Sequence, residues 1–390
     1  MAGGRREQHI SEREKCERKD MGKIPYQDIL KWLERKRVSF FCRTSYQKNV
    51  KKIINRNSLP ALDPVYEKEI KSFWGRYTRH PTTVFHRYYT GMNGIRDVRY
   101  IPEGFYYDKI ECHYSSYMDW SFSSAYSDKG LFRRLLPDIK QPETIILNRG
   151  GFFYDKNYKI ISEEEALEMA ALENRFVTKP TMDSGGGRNV RFFDNPSHDR
   201  QIVREVFKEY GKDFLLQQPI KQHPKLSEIH AASLNTVRVL SLLKDGQVTI
   251  LSSILRMGVN GSQVDNLCAG GLCAGVKPDG HLSQFAHNHA GKQVEVHPQG
   301  FVFKTGVVPS YDRLKESVIE AHKQLPYFGI ISWDFAIDET GEPVMIEFNI
   351  RWGELNGHQI NNGPLFGDRT EEILADVTQN KKTAEVHMPV

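Results

Sequence analysis

Three oxygen-bearing side chains, Asp334, Glu347 and Asn349, come together if the chain folds back on itself between them. Residues 329–349 predict a strand, a tight turn and a second strand, because β-branched and aromatic residues flank turn-forming ones. Alternation along the second strand places Glu347 and Asn349 on one face together with Met345. Two carboxylates and an amide oxygen suit Mg²⁺, whose other ligands are commonly waters and substrate phosphates. The stretch therefore indicates a metal site for nucleotide chemistry, and the alternative is a solvated hairpin with an acidic face.

A glycine-rich loop at residues 183–190 lies between two predicted strands, 175–180 and 190–193. Glycine permits close backbone approach, so the N–H groups of such a loop can cradle phosphates. Lys179 on the first strand can pair with phosphate oxygens. The loop lacks the spacing and the following helix of a Walker-type P-loop, and the alternative is a flexible turn.

Arg238 is a charged residue inside an otherwise apolar predicted strand, 235–243. A buried arginine needs an anionic partner. A structural ion pair and a phosphate contact both satisfy that need, and the residues alone do not choose between them.

Composition excludes several classes of protein. Hydrophobic residues make up 39% of the 390-residue chain and charged residues 26%, as in globular proteins with two or three domains. The sequence contains neither an apolar run of about 18 residues nor a secretory signal pattern. The five cysteines are odd in number and scattered, which predicts reduced thiols and a cytoplasmic location rather than a disulfide framework.

The net charge of +5 is unevenly distributed. Residues 1–56 hold 16 Lys+Arg and 7 Asp+Glu, a local charge of +9. The remainder holds 54−16 = 38 basic and 49−7 = 42 acidic residues, a local charge of −4. An anionic membrane surface or nucleic acid is a candidate partner for this arm, and the alternative is a solvated helical arm. No recognisable nucleic-acid module accompanies it, so no specific nucleic-acid partner is expected.

Helical patterns cover residues 25–57, 65–77, 200–211 and 311–325, whereas residues 80–125 read as irregular. Ser162 and Glu165 form a capping-box signature that opens another helix. Lys129 precedes a short predicted helix that Ser127 or Asp128 could cap. Apolar segments predict strands at 144–147, 214–220 and 248–255.

The order of four features resembles the ATP-grasp superfamily. These features are Lys129, Lys179 before the glycine loop, Gln217-Gln218 at a strand end, and Asp334 followed by Glu347-Phe348-Asn349. Within that superfamily, the chain more closely resembles the sugar-transfer-associated ATP-grasp proteins related to alpha-L-glutamate ligases, over roughly residues 80–370. The Asp–x12–Glu–x–Asn spacing is similar to the metal site of D-alanine–D-alanine ligase-like enzymes.

The resemblance implies an α+β fold, in which two α+β subdomains grip ATP, preceded by a helical N-terminal region. Together with the charge and residue patterns outside its range, the resemblance predicts the following division of the chain: 1–58, a basic helical or partly disordered arm; 59–140, a helical and irregular lead-in; 141–217, the lid subdomain with the glycine loop; 218–376, the core subdomain with the metal site; and 377–390, a flexible tail. The arm is expected to be separable from ATP binding.

The resemblance further implies roles for individual residues. Lys129 and Lys179 would contact the α- and β-phosphates, and Arg238 would neutralise the transferring phosphoryl group. The loop containing Ser184, Gly185, Gly186 and Gly187 would close over the phosphates. Gln217, Gln218 and Ile220 would lie at the adenine hinge. Asp334, Glu347 and Asn349 would hold two Mg²⁺ ions.

Two positions depart from the pattern. The superfamily often has glutamate at the hinge, where this chain has Gln217. Several ligases place an arginine two residues before the metal aspartate, where this chain has Ser332. Arg238 or Arg351 is a candidate to substitute for that arginine.

The implied activity is that of an ATP-dependent carboxylate–amine ligase acting through an acylphosphate. Its substrates would be a small-molecule or glycan-precursor carboxylate, such as a sugar acid or an amino acid, and an amine, used in polysaccharide biosynthesis. The alternatives are a kinase on the same fold that phosphorylates a hydroxyl and a nucleotide-binding protein without catalysis. The sequence does not identify the acid, the amine or the oligomeric state.

Overall fold

The structure, a computed structural model, describes residues 26–115, 123–182, 187–267 and 270–379. Ser184, Gly185 and Gly186 of the predicted phosphate loop lie outside these ranges. Residues 1–25 of the predicted arm also lie outside them. In the described ranges, two antiparallel sheets and their covering helices form the α+β fold that the sequence predicts.

The helices are numbered in chain order. They are α1 Tyr26–Arg56, α2 Pro64–Gly75, α3 Val84–Asn93, α4 Glu103–Phe105, α5 Glu111–Tyr114, α6 Phe132–Leu135, α7 Glu163–Ala171, α8 Arg200–Tyr210, α9 Pro224–Ser227, α10 Tyr311–Lys323, α11 Asn356–Asn362 and α12 Thr370–Gln379. A π-helix, Tyr106–Ile110, joins α4 to α5, and 3₁₀ turns lie at Ser124–Ser127, Lys129–Leu131, Phe303–Thr305 and Gly367–Arg369.

The first sheet has six strands in the order β3-β2-β1-β6-β4-β5. The strands are β1 Thr144–Arg149, β2 Phe152–Tyr154, β3 Ile160–Ile161, β4 Arg175–Pro180, β5 Arg191–Asp194 and β6 Phe214–Gln217. Helices α7 and α8 bury their apolar faces against it, with Leu167, Val203 and Phe207 meeting Phe176 and Phe214. The sheet therefore has a core of its own.

The predicted helix starts in this region are confirmed. The Ser162 hydroxyl accepts from the Glu165 N–H at 3.2 Å, and the Glu165 carboxylate accepts from the Ser162 N–H at 2.7 Å. Of the two candidate caps near Lys129, Asp128 is the one used, because its carboxylate accepts from the Gly130 N–H at 2.9 Å.

The second sheet has seven strands in the order β11-β10-β9-β8-β7-β12-β13. The strands are β7 Thr236–Lys244, β8 Gln247–Met257, β9 Leu272–Val276, β10 Leu282–Asn288, β11 Gln293–Val294, β12 Ile330–Ile337 and β13 Pro343–Asn349. One face packs on α10, where Trp333 and Val239 share a core with Val318. The opposite face carries Leu240, Leu242 and Ile330.

A helical layer built from α1 to α5 covers the apolar end of that opposite face. Val38 and Cys42 of α1 are fully buried in one core cluster with Trp74, Tyr106 and Leu240. Val50 and Ile54 lie in a second cluster. The residues before the predicted boundary at residue 58 therefore share core clusters with residues after it, and the two parts do not pack independently. Residues 80–125, expected to be irregular, contain α3, α4 and α5 where they are described, so that expectation was wrong.

The predicted hairpin forms, with a β-bulge that the alternation of residue types does not reveal. Asp334 pairs with Glu347, but the next pair along the strand is Phe335 with Met345, which leaves Ile346 as the extra residue. The prediction that Met345 shares a face with Glu347 was therefore wrong, and Met345 is fully buried in the core.

Within the described ranges, no helix is both long and apolar enough to cross a lipid bilayer. Cys42, Cys112 and Cys273 are free thiols, and Cys16 and Cys268 lie outside the described residues.

Candidate active site

One face of the second sheet has an apolar end, which the helical layer covers, and a polar end. The site lies at the polar end. Asp334 on β12 is directly opposite Arg238 on β7. The Nε and Nη2 atoms of Arg238 each lie 2.8 Å from one oxygen of the Asp334 carboxylate. Side-chain exposure is 5% for Asp334 and 14% for Arg238. The strand arginine thus has a buried bidentate carboxylate partner.

Arg256, one strand further on, completes the neutralisation of Asp334. Its Nη2 atom lies 3.0 Å from Asp334 Oδ2, and its side chain is 8% exposed. Burial alone would raise the pKa of Asp334, but the adjacent Arg238 and Arg256 guanidiniums lower it below its usual value. Asp334 is therefore an ionised carboxylate held between two arginines.

Arg256 is also tied to neighbouring polar groups. Its Nη2 atom donates to the Thr236 hydroxyl at 2.8 Å, and that hydroxyl in turn donates to Asp265. Asp265 lies 3.6 Å from Arg256 Nε. Arg256 is not among the predicted site residues, although it has the same feature as Arg238: it is a charged residue within an apolar strand. The predicted strand stopped at residue 255, one position short of it.

Glu347 lies beside Asp334 and faces a lysine from the other side of the cleft. Lys129 Nζ is 3.5 Å from Glu347 Oε2, and the two side chains are 10% and 21% exposed. Asn349 pairs with Ser332 in the same strand register, so it shares the face of Asp334 and Glu347. Asp334 and Glu347 line the central cavity, whereas Asn349 is not among the described residues that line it.

Lys179 lies on β4 of the first sheet and faces the cavity. The residue is 9% exposed, and burial, together with the nearby Lys129 ammonium, lowers the pKa of Lys179 to about 8, with Glu347 opposing the shift. The Lys129 N–H donates to the Thr181 carbonyl at 2.9 Å, which links the two lysine-bearing segments. Two cations therefore lie together without enough anionic charge to offset them.

The predicted adenine hinge lies where β6 ends. The Gln217 amide donates to the Pro142 carbonyl and the Thr144 hydroxyl, at 3.4 and 3.3 Å. The Gln218 amide donates to Glu173 at 3.2 Å. These side-chain amides already have protein partners, which is consistent with a hinge that offers backbone groups. Gln217, Gln218 and Ile220 all line the cavity.

Gly187 is the described glycine of the predicted phosphate loop at residues 183–190. Its φ of +74° lies in the left-handed region, which glycine adopts without strain. A Cβ atom built there would lie 3.7 Å from a methyl group of Val264, so the loop approaches the connection between β8 and β9 across the cleft.

A single cavity of about 440 Å³ connects these groups. That volume is within the usual range for small-molecule and nucleotide sites. Nine of the predicted site residues line it: Lys129, Lys179, Gly187, Gln217, Gln218, Ile220, Arg238, Asp334 and Glu347. Arg256 also lines it, whereas Arg351 is not among the described residues that do. Arg256, rather than Arg351, is thus placed to supply a second guanidinium.

The donor set is compatible with magnesium. Asp334, Glu347 and Asn349 project from one face and offer only hard oxygen donors. No group of three or more His, Cys, Asp or Glu side chains within the described ranges could hold a metal, so a three-donor site here needs the amide of Asn349. Both oxygens of Asp334 contact arginines, so a metal ion would compete with Arg238 and Arg256 for this carboxylate.

Solved structures of ATP-grasp enzymes resemble the chain remotely. The biotin carboxylase domain of Hydrogenobacter thermophilus 2-oxoglutarate carboxylase, in complex with MgADP, ADP and bicarbonate, is 16% identical, with a TM-score of 0.40 over 67% of this chain and 47% of that one. D-alanine–D-alanine ligase from Bacillus anthracis is 14% identical, with a TM-score of 0.37 over 66% of this chain and 68% of that one. L-amino acid ligase from Bacillus licheniformis is 14% identical, with a TM-score of 0.35 over 65% of this chain and 48% of that one.

The match therefore spans about half the length of the carboxylase domain and of the amino acid ligase. A search of curated proteins found no match. The model of the sugar-transfer associated ATP-grasp family matches residues 113–375, about two thirds of the chain. The matched segment contains both sheets and every residue of the site described above. The chain belongs to the sugar-transfer associated ATP-grasp family.

Proposed function

We propose that this protein is an enzyme, an ATP- and Mg²⁺-dependent carboxylate–amine ligase. The observation that carries the proposal is the placement of Lys129 and Lys179 across one cavity from Glu347, Asp334 and Arg238. Cations for phosphate oxygens and oxygen donors for a metal thus face the same space. Family membership supports ATP as the nucleotide.

In this proposal the first sheet binds the nucleotide. Lys129 and Lys179 pair with its phosphates, and the backbone at Gln218 and Ile220 contacts the adenine. The two lysine ammoniums have little exposure to water, so their attraction to phosphate is weakly screened. The glycine loop at residues 183–190 closes over the phosphates and excludes water.

The second sheet receives the transferring phosphoryl group. Asp334, Glu347 and Asn349 would hold Mg²⁺, which neutralises phosphate charge when bound. Arg238 and Arg256 present guanidiniums whose positions are set by Asp334 before any substrate arrives. Preorganised charge of this kind stabilises a transition state without reorganisation during the reaction.

The proposed chemistry has two steps. A carboxylate oxygen forms a bond to the γ-phosphorus of ATP while the bond to the ADP oxygen breaks. The amine then attacks the acyl carbon, phosphate leaves, and the amine nitrogen loses a proton to form the amide. Both steps depend on orientation and charge neutralisation more than on a protein nucleophile.

The substrates we propose are a sugar acid or an amino acid and an amine that belongs to a glycan precursor.

The free thiols Cys42, Cys112 and Cys273 are compatible with a reducing compartment such as the cytoplasm.

The proposal is tested by trapping the acylphosphate. Purified protein is incubated with ATP, Mg²⁺, hydroxylamine and a panel of sugar acids and amino acids. We expect one of the acids to form a hydroxamate in amounts equal to the ADP and phosphate released. Phosphorylation of a polyol without formation of any hydroxamate would instead establish a kinase.

A further inference from the structure

The helical layer lies outside the segment that the family model matches, except at its last residues. The match begins at residue 113, whereas the layer starts with α1 at Tyr26. The layer nevertheless packs on the sheet face that carries the site. Leu240 and Leu242 of β7 contact it, and Arg238 lies one step further along the same face of the same strand. The layer is therefore close enough to act on the site.

The loop at residues 350–355 connects the metal-bearing strand β13 to α11 and lies between the layer and the site. Trp352 and Glu354 have φ values of +58° and +64°, in the left-handed region that bulky residues rarely adopt. A Cβ atom built on Gly353 would lie 2.8 Å from the Cβ of Ser332, two residues before Asp334. Such a backbone persists only where its surroundings determine it.

Residues of the layer provide those surroundings. The buried Glu111 carboxylate accepts from the N–H group of Gly353, with 3.5 Å between Oε1 and the Gly353 nitrogen. The ring of Tyr107 packs on Trp352 with centroids 4.8 Å apart, and the ring of Tyr46 stacks at 6.4 Å. The strained loop is thus held by a carboxylate and two aromatic rings from outside the matched segment.

The loop in turn holds Arg238. The Glu354 carboxylate accepts from Arg238 Nη1 at 2.7 Å, while the Asp334 carboxylate accepts from Arg238 Nε and Nη2. The guanidinium is therefore fixed on two sides, which determines both its plane and its rotation. Without Glu354, only the Asp334 edge would hold it.

We propose that Glu111 is a positioning residue for Arg238, acting through the loop at residues 350–355 and Glu354. The helical layer is then a working part of the catalytic centre, and its support of the loop sets the orientation of the guanidinium toward the γ-phosphoryl group. Trp352, packed on Tyr107, is the second connection in the same chain of contacts. This inference rests on the proposed function, because it assumes that Arg238 contacts that group.

The test compares binding of ADP with binding of AMP-PNP, a non-hydrolysable ATP analogue, both with Mg²⁺, by isothermal titration calorimetry. The ratio used here is the dissociation constant for ADP divided by that for AMP-PNP. It reports contacts to the γ-phosphoryl group alone, and it falls when those contacts are lost. Arg238→Lys should lower this ratio roughly tenfold, the usual cost of losing a charge-assisted hydrogen bond. Glu111→Ala should lower it about fivefold with ADP affinity within about twofold of wild type, and Glu111→Gln, which keeps one acceptor oxygen, should restore part of the loss.

A double-mutant cycle separates positioning from general damage. In the Arg238→Lys background, Glu111→Ala should leave the ratio unchanged, because the group it positions is gone. The matched control is Asp108→Asn. Asp108 belongs to the same layer, and its carboxylate accepts from the Ser39 hydroxyl at 2.8 Å and lies 3.2 Å from Lys109 Nζ, so the ratio should stay at the wild-type value.

Trp352→Leu removes the other contact between the loop and the helical layer, the packing of Trp352 on Tyr107. This variant keeps the inference testable if Glu111→Ala does not fold. We expect it also to lower the ratio about fivefold. The inference would be overturned if the ratio were unchanged in Trp352→Leu and in every folded Glu111 variant. It would also be overturned if these variants lost ADP affinity and AMP-PNP affinity equally. Neither result would overturn the proposed function. A wild-type protein that binds neither nucleotide would overturn the proposed function, and this inference with it.

Discussion

Asp334 and Arg238 lie opposite each other on neighbouring antiparallel strands and form a bidentate ion pair, with both N–O distances at 2.8 Å. Arg256 and Glu354 extend this pair on its two sides, so charges of alternating sign run across the second sheet and the following loop. Three carboxylates, counting Asp265, alternate with two guanidiniums. The net charge of the series is therefore −1, and Lys129 and Lys179 with Glu347 add a charge of +1 in the same cavity.

Removal of Arg238 should destabilise the fold. In Arg238→Ala, the Asp334 carboxylate stays buried with only Arg256 to neutralise it, and we expect a loss of about 2–4 kcal/mol in the free energy of unfolding. Urea denaturation followed by circular dichroism measures this loss. The control is Arg313→Ala, which removes an exposed pair to Glu342 and should cost less than about 1 kcal/mol. Equal losses in the two variants would contradict the buried character of the Arg238 pair.

Glu347→Gln should weaken metal binding while the fold remains intact. Glu347 is partly exposed, so its neutral isostere leaves packing unchanged but removes a negative oxygen donor. We expect the affinity for Mn²⁺, measured by electron paramagnetic resonance in the presence of ADP, to fall roughly tenfold or more. Glu342→Gln, an exposed position on the same hairpin, serves as the control and should bind Mn²⁺ as wild type does. Unchanged Mn²⁺ affinity in Glu347→Gln would remove Glu347 from the metal site.

Nucleotide affinity should depend on the protonation of Lys179. Burial lowers the pKa of Lys179 from 10.5 to about 8, so the side chain is charged below pH 8 and mostly neutral above it. Only the charged form attracts phosphate, so ATP affinity should be highest below pH 8 and fall as the pH rises through 8, by up to about tenfold per pH unit. Calorimetry between pH 6.5 and 9.5 checks this slope.

Two variants make that pH dependence specific. Lys179→Met should bind ATP more weakly at pH 7 and lose the decline above pH 8. Lys221→Met, which removes a cavity-lining lysine that is 81% exposed, should keep the decline. A decline that persists in Lys179→Met would assign the titration to another group.

The first helix should matter for stability. Ile54 of α1 is 3% exposed, and Ile54→Ala should cost about 2–5 kcal/mol by leaving a cavity in its cluster. Lys52→Ala, on the exposed side of the same helix, should change stability by less than about 0.5 kcal/mol. Thermal denaturation of the two variants measures the difference. Equal stability would show that the packing of Ile54 contributes nothing to the fold, which would favour the expectation that the arm is separable from ATP binding.

Local patterns were sufficient to predict much of the fold. The capping box at Ser162 and the cap at Asp128 involve residues within three positions of each other, so a short stretch of sequence contains the whole interaction. The hairpin ending at Asn349 has its turn and both strands within about twenty residues. Residue chemistry also indicated which side chains could bind phosphate and metal, since lysine, carboxylate and amide groups carry those properties wherever they lie.

Contacts between distant segments were decided by the tertiary structure. The ion pair of Arg238 with Asp334 joins positions 96 residues apart, and the hydrogen bond between Glu111 and Gly353 joins positions 242 apart. Pairing register and packing create such contacts, and no local pattern encodes them. The bulge at Ile346 likewise depends on how β13 aligns with β12, because a one-residue shift reverses the face on which each side chain lies.

The sequence by itself determined the kinds of chemistry available to this protein and the order in which the responsible residues occur. The folded chain decided that two arginines share Asp334, that Asn349 is on the face of Asp334 and Glu347 without being among the described residues that line the cavity, and that a helical layer outside the family match supports the loop beside the site. The physical reason is that side-chain identity sets what a group can do, whereas burial and neighbours gathered from remote strands set its charge, its orientation and its partners.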